Sequence, residues 1–264
     1  MLSNNAKKML EKKMLEKKMW DIKKKQPYNK LKPVYNSVIP LKIYQTWYTK
    51  NLPPKMKQCV ETLKAQHPKF EHFLFDDNDC REFIKANFEP NVLHAYDNLI
   101  PGAYKADLWR LCVLYINGGI YMDIKLSCIN GFRLIELTEN EHFVLDRPGP
   151  LSIYNALLVC KAKNNFLWMA ICRIVSNVET KFYGLGCLEP TGPKLLGNII
   201  LKNKLNVNID LKHFKYGGYL THKNRFVIST EYPEYNSERT ATYNKMKSNI
   251  KRYTEMWVER RIYK

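Results

Sequence analysis

Short apolar runs alternate with longer stretches of helical periodicity from about residue 38 onward. Residues 38–47 open with an apolar run that predicts a buried first strand, and residues 70–75 alternate aromatic and other side chains like a second strand. Helical spacing follows each run, over residues 56–66 and 80–87. This alternation predicts an α/β fold, with a mostly parallel sheet flanked by helices.

The clearest predicted elements lie in the middle of the chain. Residues 103–116 form an apolar helix that ends at Gly118-Gly119, and residues 120–122 form a short strand. The two glycines allow the chain to reverse where larger side chains would clash. Asp123 therefore falls at the carboxyl end of a strand, which is where open α/β sheets bind their ligands.

The second half of the chain shows the same alternation less strongly. Its predicted elements are a strand over 156–160, helices over 166–178 and 193–201, a loop over 184–192 and a basic amphipathic helix over 241–264. The pattern contains no second hydrophobic unit strong enough to define another domain. Residues 33–264 are therefore predicted to form a single domain.

A basic, low-complexity arm precedes this domain. Residues 1–32 hold 11 Lys and 3 acidic residues in a near-repeat of five residues. Five residues advance a helix by about 140°, so Met9, Met14 and Met19 fall on different sides and form no apolar stripe. The arm is predicted to be solvated. The alternative is a tether to an anionic membrane surface or to nucleic acid.

Composition narrows the classes of protein that remain. The chain has 264 residues, 45% of them hydrophobic, so it can bury a large core and is not a disordered polymer. Seven scattered Cys residues with no C-x-x-C pair favour reduced thiols over disulfides or structural zinc. With no apolar run of spanning length and no signal-peptide pattern, the sequence predicts a cytoplasmic location.

Two charged residues interrupt the apolar helix in the middle of the chain. Asp107 and Arg110 are three positions apart and therefore lie on one helix face. One interpretation is an ion pair that neutralises itself inside the core. The other is a polar pocket shared with Asp123, in which carboxylates accept from sugar hydroxyls or bind a hard cation, and the guanidinium grips a hydroxyl or phosphate.

These residues carry a resemblance to a known family. The stretches that match, in order, are residues 39–47, Phe75-Asp76-Asp77, residues 105–110, Gly118 to Asp123 and, more weakly, residues 189–193. Together they resemble glycosyltransferases with a DXD-containing sugar-binding region, similar to glycosyltransferase family 32. That group includes α-1,6-mannosyltransferases, capsular polysaccharide transferases and, more distantly, glucosylating bacterial toxins.

The resemblance implies a GT-A fold, a Rossmann-like unit that binds a nucleotide-sugar. It further implies a retaining, hexosyltransferase-type transfer to a glycan, lipid or protein acceptor, and a divalent cation, Mn²⁺ or Mg²⁺. The positions that match donor-binding positions of the family are Gln45, Thr46, Trp47, Asp107, Arg110, Tyr121 and Asp123. Trp47 is expected to stack on the nucleotide base, with a role in the core as the alternative.

Two positions depart from the family pattern, and one of them is Tyr44, which stands where the family usually has His. The other is Lys125. Asp123 matches the first Asp of the D-x-D motif and is the candidate metal ligand, but Lys125 stands where the second Asp belongs. A protonated Lys cannot bind a cation, although its ammonium can lie against a diphosphate as a point charge. Asp123 and Lys125 are therefore the candidate catalytic residues.

Basic residues of the tail, 251–261, are a further expected source of positive charge, with a solvated helix face as the alternative.

Two other classes of protein remain open from the sequence. A net charge of +18 and many aromatic residues fit a nucleic-acid-binding protein, but no recognition motif accompanies them and no specific nucleic acid is expected. Lys125 also fits a catalytically inactive relative that binds the donor without turning it over. The resemblance makes an active glycosyltransferase the leading prediction.

Overall fold

The structure is a computed structural model that describes Met14 and residues 34–147, 152–202, 207–214, 217–245 and 251–264. The predicted basic arm, residues 1–32, lies outside the described residues except for Met14, which is exposed. The boundary predicted at residue 33 therefore stays a prediction.

Helices and strands alternate along most of the described chain, which confirms the predicted α/β class. The helices are α1 (Pro54–Gln66), α2 (Asp77–Asn87), α3 (Pro90–Asn98), α4 (Gly102–Asn117), α5 (Asn165–Glu179), α6 (Pro193–Lys202), α7 (Tyr235–Lys245) and α8 (Tyr253–Val258). The strands are β1 (Lys42–Thr46), β2 (Glu71–Phe75), β3 (Gly119–Met122), β4 (Ser127–Cys128), β5 (His142–Leu145), β6 (Ile153–Cys160), β7 (Lys212–His213), β8 (Tyr219–His222) and β9 (Arg225–Ser229). A short 3-10 helix covers Leu134–Leu137.

The strands form one mixed sheet, so the prediction of a mostly parallel sheet was wrong. Its order is β2-β1-β3-β6-β5-β7-β8-β9-β4. Parallel pairing holds for β1 with β2 and β3, whereas β6 runs antiparallel to β3 and β5. A tight turn at Lys223 and Asn224, both with positive φ, joins β8 to β9 and forces antiparallel pairing. Asn-Gly or Asp-Gly is the usual signal for such a turn, and it is missing here.

The sheet carries apolar packing on both faces. Tyr44 of β1 and Tyr121 of β3 pack with α4 in the largest buried cluster. Their neighbours Ile43 and Ile120 point the other way and pack with residues of α1 and of the 3-10 helix. Successive side chains on a strand point to opposite faces, and both faces of β1 and β3 are covered. This explains why the central strands read as short continuous apolar runs.

Two glycines set the turn from α4 into β3. Gly118 has φ 62° and Gly119 has φ 112°, values that residues with side chains rarely adopt. A Cβ on Gly118 would lie 2.7 Å from the backbone nitrogen of Ala162, and a Cβ on Gly119 would lie 2.8 Å from the carbonyl oxygen of Lys42. The predicted role of this pair is confirmed. The reversal brings the carboxyl end of β3 beside the first half of α4.

The C-terminal part of the chain differs from the single helix predicted over 241–264. Helix α7 begins earlier, at Tyr235, and α8 is a separate helix of six residues. Residues 251 and 252, just before α8, are not helical, and residues 246–250 lie outside the described residues. Apolar spacing alone could not show this interruption, because the apolar residues keep intervals of three or four positions through it, at Tyr243, Met246, Ile250, Tyr253 and Trp257.

Candidate functional site

Asp107, Arg110 and Asp123 lie together at the carboxyl end of β3. The guanidinium of Arg110 has its Nη1 3.5 Å from Oδ1 of Asp107 and its Nη2 3.7 Å from Oδ1 of Asp123. Asp107 and Arg110 are each only 7% exposed. The structure thus places in one cluster the three residues that the sequence assigned to one pocket.

Further contacts fix the orientation of Arg110. Its Nε donates to the carbonyl oxygen of Ala106, one turn back on α4, and its Nη1 donates to the carbonyl oxygen of Asn155 at 2.7 Å. The guanidinium also lies over the Tyr121 ring, 4.5 Å from its centre. Burial would lower the pKa of Arg110, but Tyr121 and the two carboxylates raise it, so the residue is a permanent cation.

Asp107 is held from three sides. The hydroxyl of Thr191 donates to its Oδ2 at 2.8 Å, and Nδ2 of Asn155 donates to its Oδ1 at 3.3 Å. Burial raises the pKa of the Asp107 carboxyl above its ordinary value, and Arg110 with these two donors offsets part of the rise. A buried carboxylate with this many donors is fixed in position, which suits it to orienting a small polar ligand.

Asp123 lies between two cations and is open to water. Its side chain is 23% exposed, and Nζ of Lys125 lies 3.7 Å from its Oδ2. The Tyr121 hydroxyl donates to its Oδ1 at 2.7 Å. Burial alone would raise the pKa of Asp123, but Arg110 and Lys125, together with the hydrogen bond from Tyr121, outweigh that effect and lower it. Asp123 is therefore ionised at neutral pH.

The predicted β1 residues lie in different surroundings. Gln45 is 1% exposed and its Oε1 is 2.7 Å from Nε2 of His72, on the sheet face opposite Tyr121. Thr46 donates to the carbonyl oxygen of Phe75 at 3.0 Å. Trp47 is half-buried, with its ring centre 4.6 Å from that of Tyr48 and 6.4 Å from that of Tyr235. Of these three residues, Trp47 is the one whose ring lies near Tyr235, which in turn lies near Lys125.

Two residues of the cluster were not assigned roles by the sequence. Asn155 holds Asp107 with its side chain and Arg110 with its backbone, and Thr191 brings the loop before α6 onto Asp107. Asn155 was recognisable as a lone polar residue within the apolar strand β6. Thr191 belongs to the weakest stretch of the family resemblance, and its contact spans 84 positions of sequence. Local patterns do not reveal pairings over such distances.

A second wall of the pocket comes from α7. The ring centre of Tyr235 lies 5.4 Å from Nζ of Lys125 and 5.3 Å from Cζ of Arg239. Glu238 lies between Tyr235 and Arg239 on α7. It accepts hydrogen bonds from the backbone nitrogens of Lys55 and Met56 at 2.8 and 3.1 Å. These two N–H groups belong to the first turn of α1, which has no side-chain cap of its own. Glu238 therefore anchors α7 against α1 and fixes where Tyr235 and Arg239 lie.

The chain end docks beside the same pocket. Trp257 of α8 donates to the carbonyl oxygen of Tyr183 at 2.7 Å, and the Tyr253 ring lies 5.7 Å from that of Tyr104. The basic residues of the tail are engaged there. Lys251 and Arg261 pair with Glu259, and the Arg260 guanidinium lies 4.5 Å from the centre of the Tyr183 ring. The positive charge that faces Asp123 comes from Arg110 and Lys125 instead.

The residues around Asp123 do not suit a divalent cation. Among the described residues, no group of three or more His, Cys, Asp or Glu side chains lies together to hold a metal ion. Oδ2 of Asp123 faces the Lys125 ammonium, and Oδ1 accepts a hydrogen bond from the Tyr121 hydroxyl. Two like unit charges 4 Å apart repel by about 4 kcal/mol at an effective dielectric constant near 20, and a dication beside Lys125 would double this. Transferases with a D-x-D motif commonly use such a metal, but this donor set does not fit one.

Comparison with known proteins places Asp107, Arg110 and Asp123 inside a recognised region. Residues 53–143 match the family described as "Glycosyltransferase sugar-binding region containing DXD motif". Inositol phosphoceramide mannosyltransferase 3 of Schizosaccharomyces pombe is 36% identical over 97 residues, which cover 35% of this chain and 26% of that protein. Inositol phosphoceramide mannosyltransferase 1 of the same yeast is 29% identical over 138 residues, which cover 50% of this chain and 42% of that protein.

A solved structure, the PaToxG glycosyltransferase, aligns with a TM-score of 0.49 at 16% sequence identity, over 64% of this chain and 71% of that chain. The α/β architecture, with helices on both faces of a mixed sheet, is consistent with the GT-A fold that the sequence predicted.

The matched residues are similar to a region found in sugar-transferring enzymes. Over residues 53–143 the chain is similar to the sugar-binding region of the DXD-motif glycosyltransferases, which confirms the resemblance predicted from its sequence. It spans about a quarter of one of these curated relatives and about two fifths of the other. No helix in the described part of the chain has the length and apolar character needed to cross a bilayer.

Proposed function

We propose that this chain transfers a hexosyl group, and first of all a mannosyl group, from a nucleotide-sugar donor to a glycan or lipid acceptor. The observation that carries the proposal is the Arg110 guanidinium held between the carboxylates of Asp107 and Asp123 at the carboxyl end of β3. The choice of mannose follows from the names of the two yeast relatives. Retention of the anomeric configuration is part of the proposal and rests on the family resemblance.

In this proposal the donor sugar binds against Asp107 and Arg110. Their fixed orientation supports that role, since buried and hydrogen-bonded groups lose little freedom when a ligand binds. The ionised and partly exposed Asp123 accepts from a hydroxyl of the donor. Trp47 offers an aromatic face near Tyr235 on which the base stacks.

The test is a panel of nucleotide-sugars that includes GDP-mannose, UDP-glucose and UDP-galactose, applied to the full chain. Thermal shift reports binding, and chromatography of the released nucleoside diphosphate reports turnover. We expect one donor to raise the melting temperature and to be consumed, with Asp123→Asn lacking turnover.

Three outcomes separate this proposal from its alternatives. A donor that binds without turnover would favour the catalytically inactive relative. Failure of every donor, together with DNA binding at physiological salt by residues 33–264, would favour the nucleic-acid-binding class. The configuration of the transferred sugar, read by NMR spectroscopy, decides retention: an inverted product would contradict that part of the proposal.

A further inference from the structure

Two cations of the pocket lie around one aromatic ring and have few partners of their own. Lys125 has its Nζ 5.4 Å and Arg239 its Cζ 5.3 Å from the centre of the Tyr235 ring. Among the described residues, Asp123 is the acidic partner of Lys125, at 3.7 Å, and Arg239 has no ion pair. Both side chains are partly exposed. Two cations with one acidic partner leave net positive charge beside this ring, and we call Lys125 and Arg239 the cationic wall.

The cationic wall lies next to Asp123, through Lys125. Burial raises the pKa of the Tyr253 phenol, as do Cys187 and Asp107, and Arg239 offsets part of the rise. Arg239 belongs to α7 and Asp107 to α4. Lys125 connects the two sides through Asp123. A ligand that extends from Asp107 past Asp123 would meet Lys125 and then Arg239.

Contacts between α7 and the rest of the protein hold Arg239 in a fixed position. The Glu238 carboxylate accepts from two backbone nitrogens of α1 and from the Tyr232 hydroxyl at 2.9 Å. Tyr235 is itself buried, in a cluster with Met56 and Ile124. Arg239, one turn after Tyr235, is thus presented from a fixed helix. A binding group on a packed helix is positioned more accurately than one on a free loop.

We propose that Lys125 and Arg239 bind the diphosphate of the nucleotide-sugar in the place of a divalent metal ion, so that donor binding needs no metal. This inference rests on the proposed function. As the sugar is transferred, the bond between its anomeric carbon and the diphosphate oxygen breaks, and the electron pair stays on that oxygen. The acceptor hydroxyl oxygen bonds to the anomeric carbon and gives its proton to the leaving diphosphate. The two cations are placed to stabilise the charge that develops there. The site lacks the side chains that would bind a metal ion, and Lys125 and Arg239 supply positive charge there instead.

Calorimetric titration of the full chain with GDP and with UDP tests this, in EDTA and in Mn²⁺ without chelator. We expect one nucleotide to bind in both buffers with dissociation constants within about threefold of each other, a difference of under 1 kcal/mol. Lys125→Met and Arg239→Met keep the apolar stems over Tyr235 and remove the charge. Each should weaken binding in EDTA roughly tenfold to a hundredfold, the range of a hydrogen bond to a charged group.

Two further sets of variants sharpen the result. Lys125→Asp restores the acidic second position, so its nucleotide binding should fail in EDTA and return with Mn²⁺. Lys57→Ala and Arg173→Ala remove exposed cations of α1 and α5 and should bind as the unaltered chain does. Melting temperatures without nucleotide show whether each variant is folded. A misfolded Met variant would be replaced by Lys125→Gln or Arg239→Gln.

The outcomes are distinguishable. Binding by the unaltered chain only with Mn²⁺, or Met variants that are folded and bind normally in EDTA, would overturn the metal replacement and leave the proposed function standing. Binding of neither nucleotide in either buffer would overturn the proposed function itself, and this inference with it.

Discussion

Thr191 donates its hydroxyl hydrogen to Oδ2 of Asp107 at 2.8 Å, although 84 positions separate them in the sequence. The contact joins the loop before α6 to the helix that carries the candidate sugar-binding residues. Both partners are buried, so water cannot replace a lost donor.

Replacing Thr191 with Val should therefore destabilise the protein and weaken donor binding together. A hydrogen bond to a charged group contributes about 1.5–3 kcal/mol, and we expect a loss of this size in the free energy of unfolding. Thr191→Ser keeps the hydroxyl and should lose clearly less. Chemical denaturation measures both variants, and a larger loss for Ser than for Val would show that the methyl group, not the hydrogen bond, stabilises the site.

Arg110 should be among the most sensitive positions of the chain. Arg110→Met leaves Asp107 buried beside no cation, and breaking such a pair costs about 3–5 kcal/mol. Asp107→Asn in the same chain should restore part of that stability, because the uncompensated charge is then gone. A double-mutant cycle in urea gives the coupling energy. Additive effects would mean that the two residues do not form an energetic pair.

Asp123→Asn should separate function from stability. The amide is nearly isosteric and can still accept from Tyr121, so the expected loss is about 1–2 kcal/mol, within the usual range of single substitutions. Sugar transfer should be lost, since the amide carries no charge. Turnover is measured beside the melting curve. A variant that transfers normally but melts far earlier would make Asp123 a structural residue.

Glu238 should stabilise the protein as a helix cap supplied from another helix. Removing a capping side chain costs about 0.5–2 kcal/mol, and we expect Glu238→Ala to lose an amount near the upper end because two N–H groups are capped. Glu234→Ala, on the exposed surface just before α7, is the matched control. Similar unfolding energies for the two variants would contradict this role.

Acid should destabilise the fold through buried histidines. Burial lowers the pKa of His142 and of His222 to about 4, so the unfolded chain binds more protons than the folded one between pH 6.5 and 4. Stability must therefore fall as the pH drops through this window, by about 2 kcal/mol per residue at pH 5 relative to pH 7. His142→Gln should flatten the pH dependence, whereas exposed His94→Gln should not. If the unfolding free energy of the His142→Gln and His94→Gln variants changed equally with pH, the acid sensitivity would not come from His142.

The sequence predicted best those features that depend on residues close together in the chain. The turn at Gly118-Gly119 and the strand end at Asp123 follow from the demands of positive φ and from a short apolar run, and both were predicted. The pairing of Asp107 with Arg110 follows from helical spacing. These features depend on neighbours within a few residues.

Features that depend on distant partners were missed. The antiparallel pairing of β6 with β3, and the strands β7 to β9, are set by contacts across the sheet and by a turn without the usual glycine. Glu238 gave no sign of capping α1, because its partners are backbone atoms 182 and 183 positions away. Such contacts become visible only when the chain is folded.

The most direct measurement of the central claim is a crystal structure of the chain with the nucleotide-sugar that the donor panel selects. The account predicts hydroxyls of the sugar within about 3 Å of the side chains of Asp107 or Arg110, and the diphosphate beside Lys125 and Arg239. A donor bound elsewhere on the protein, with Asp107 and Arg110 contacting only each other and their protein neighbours, would contradict it.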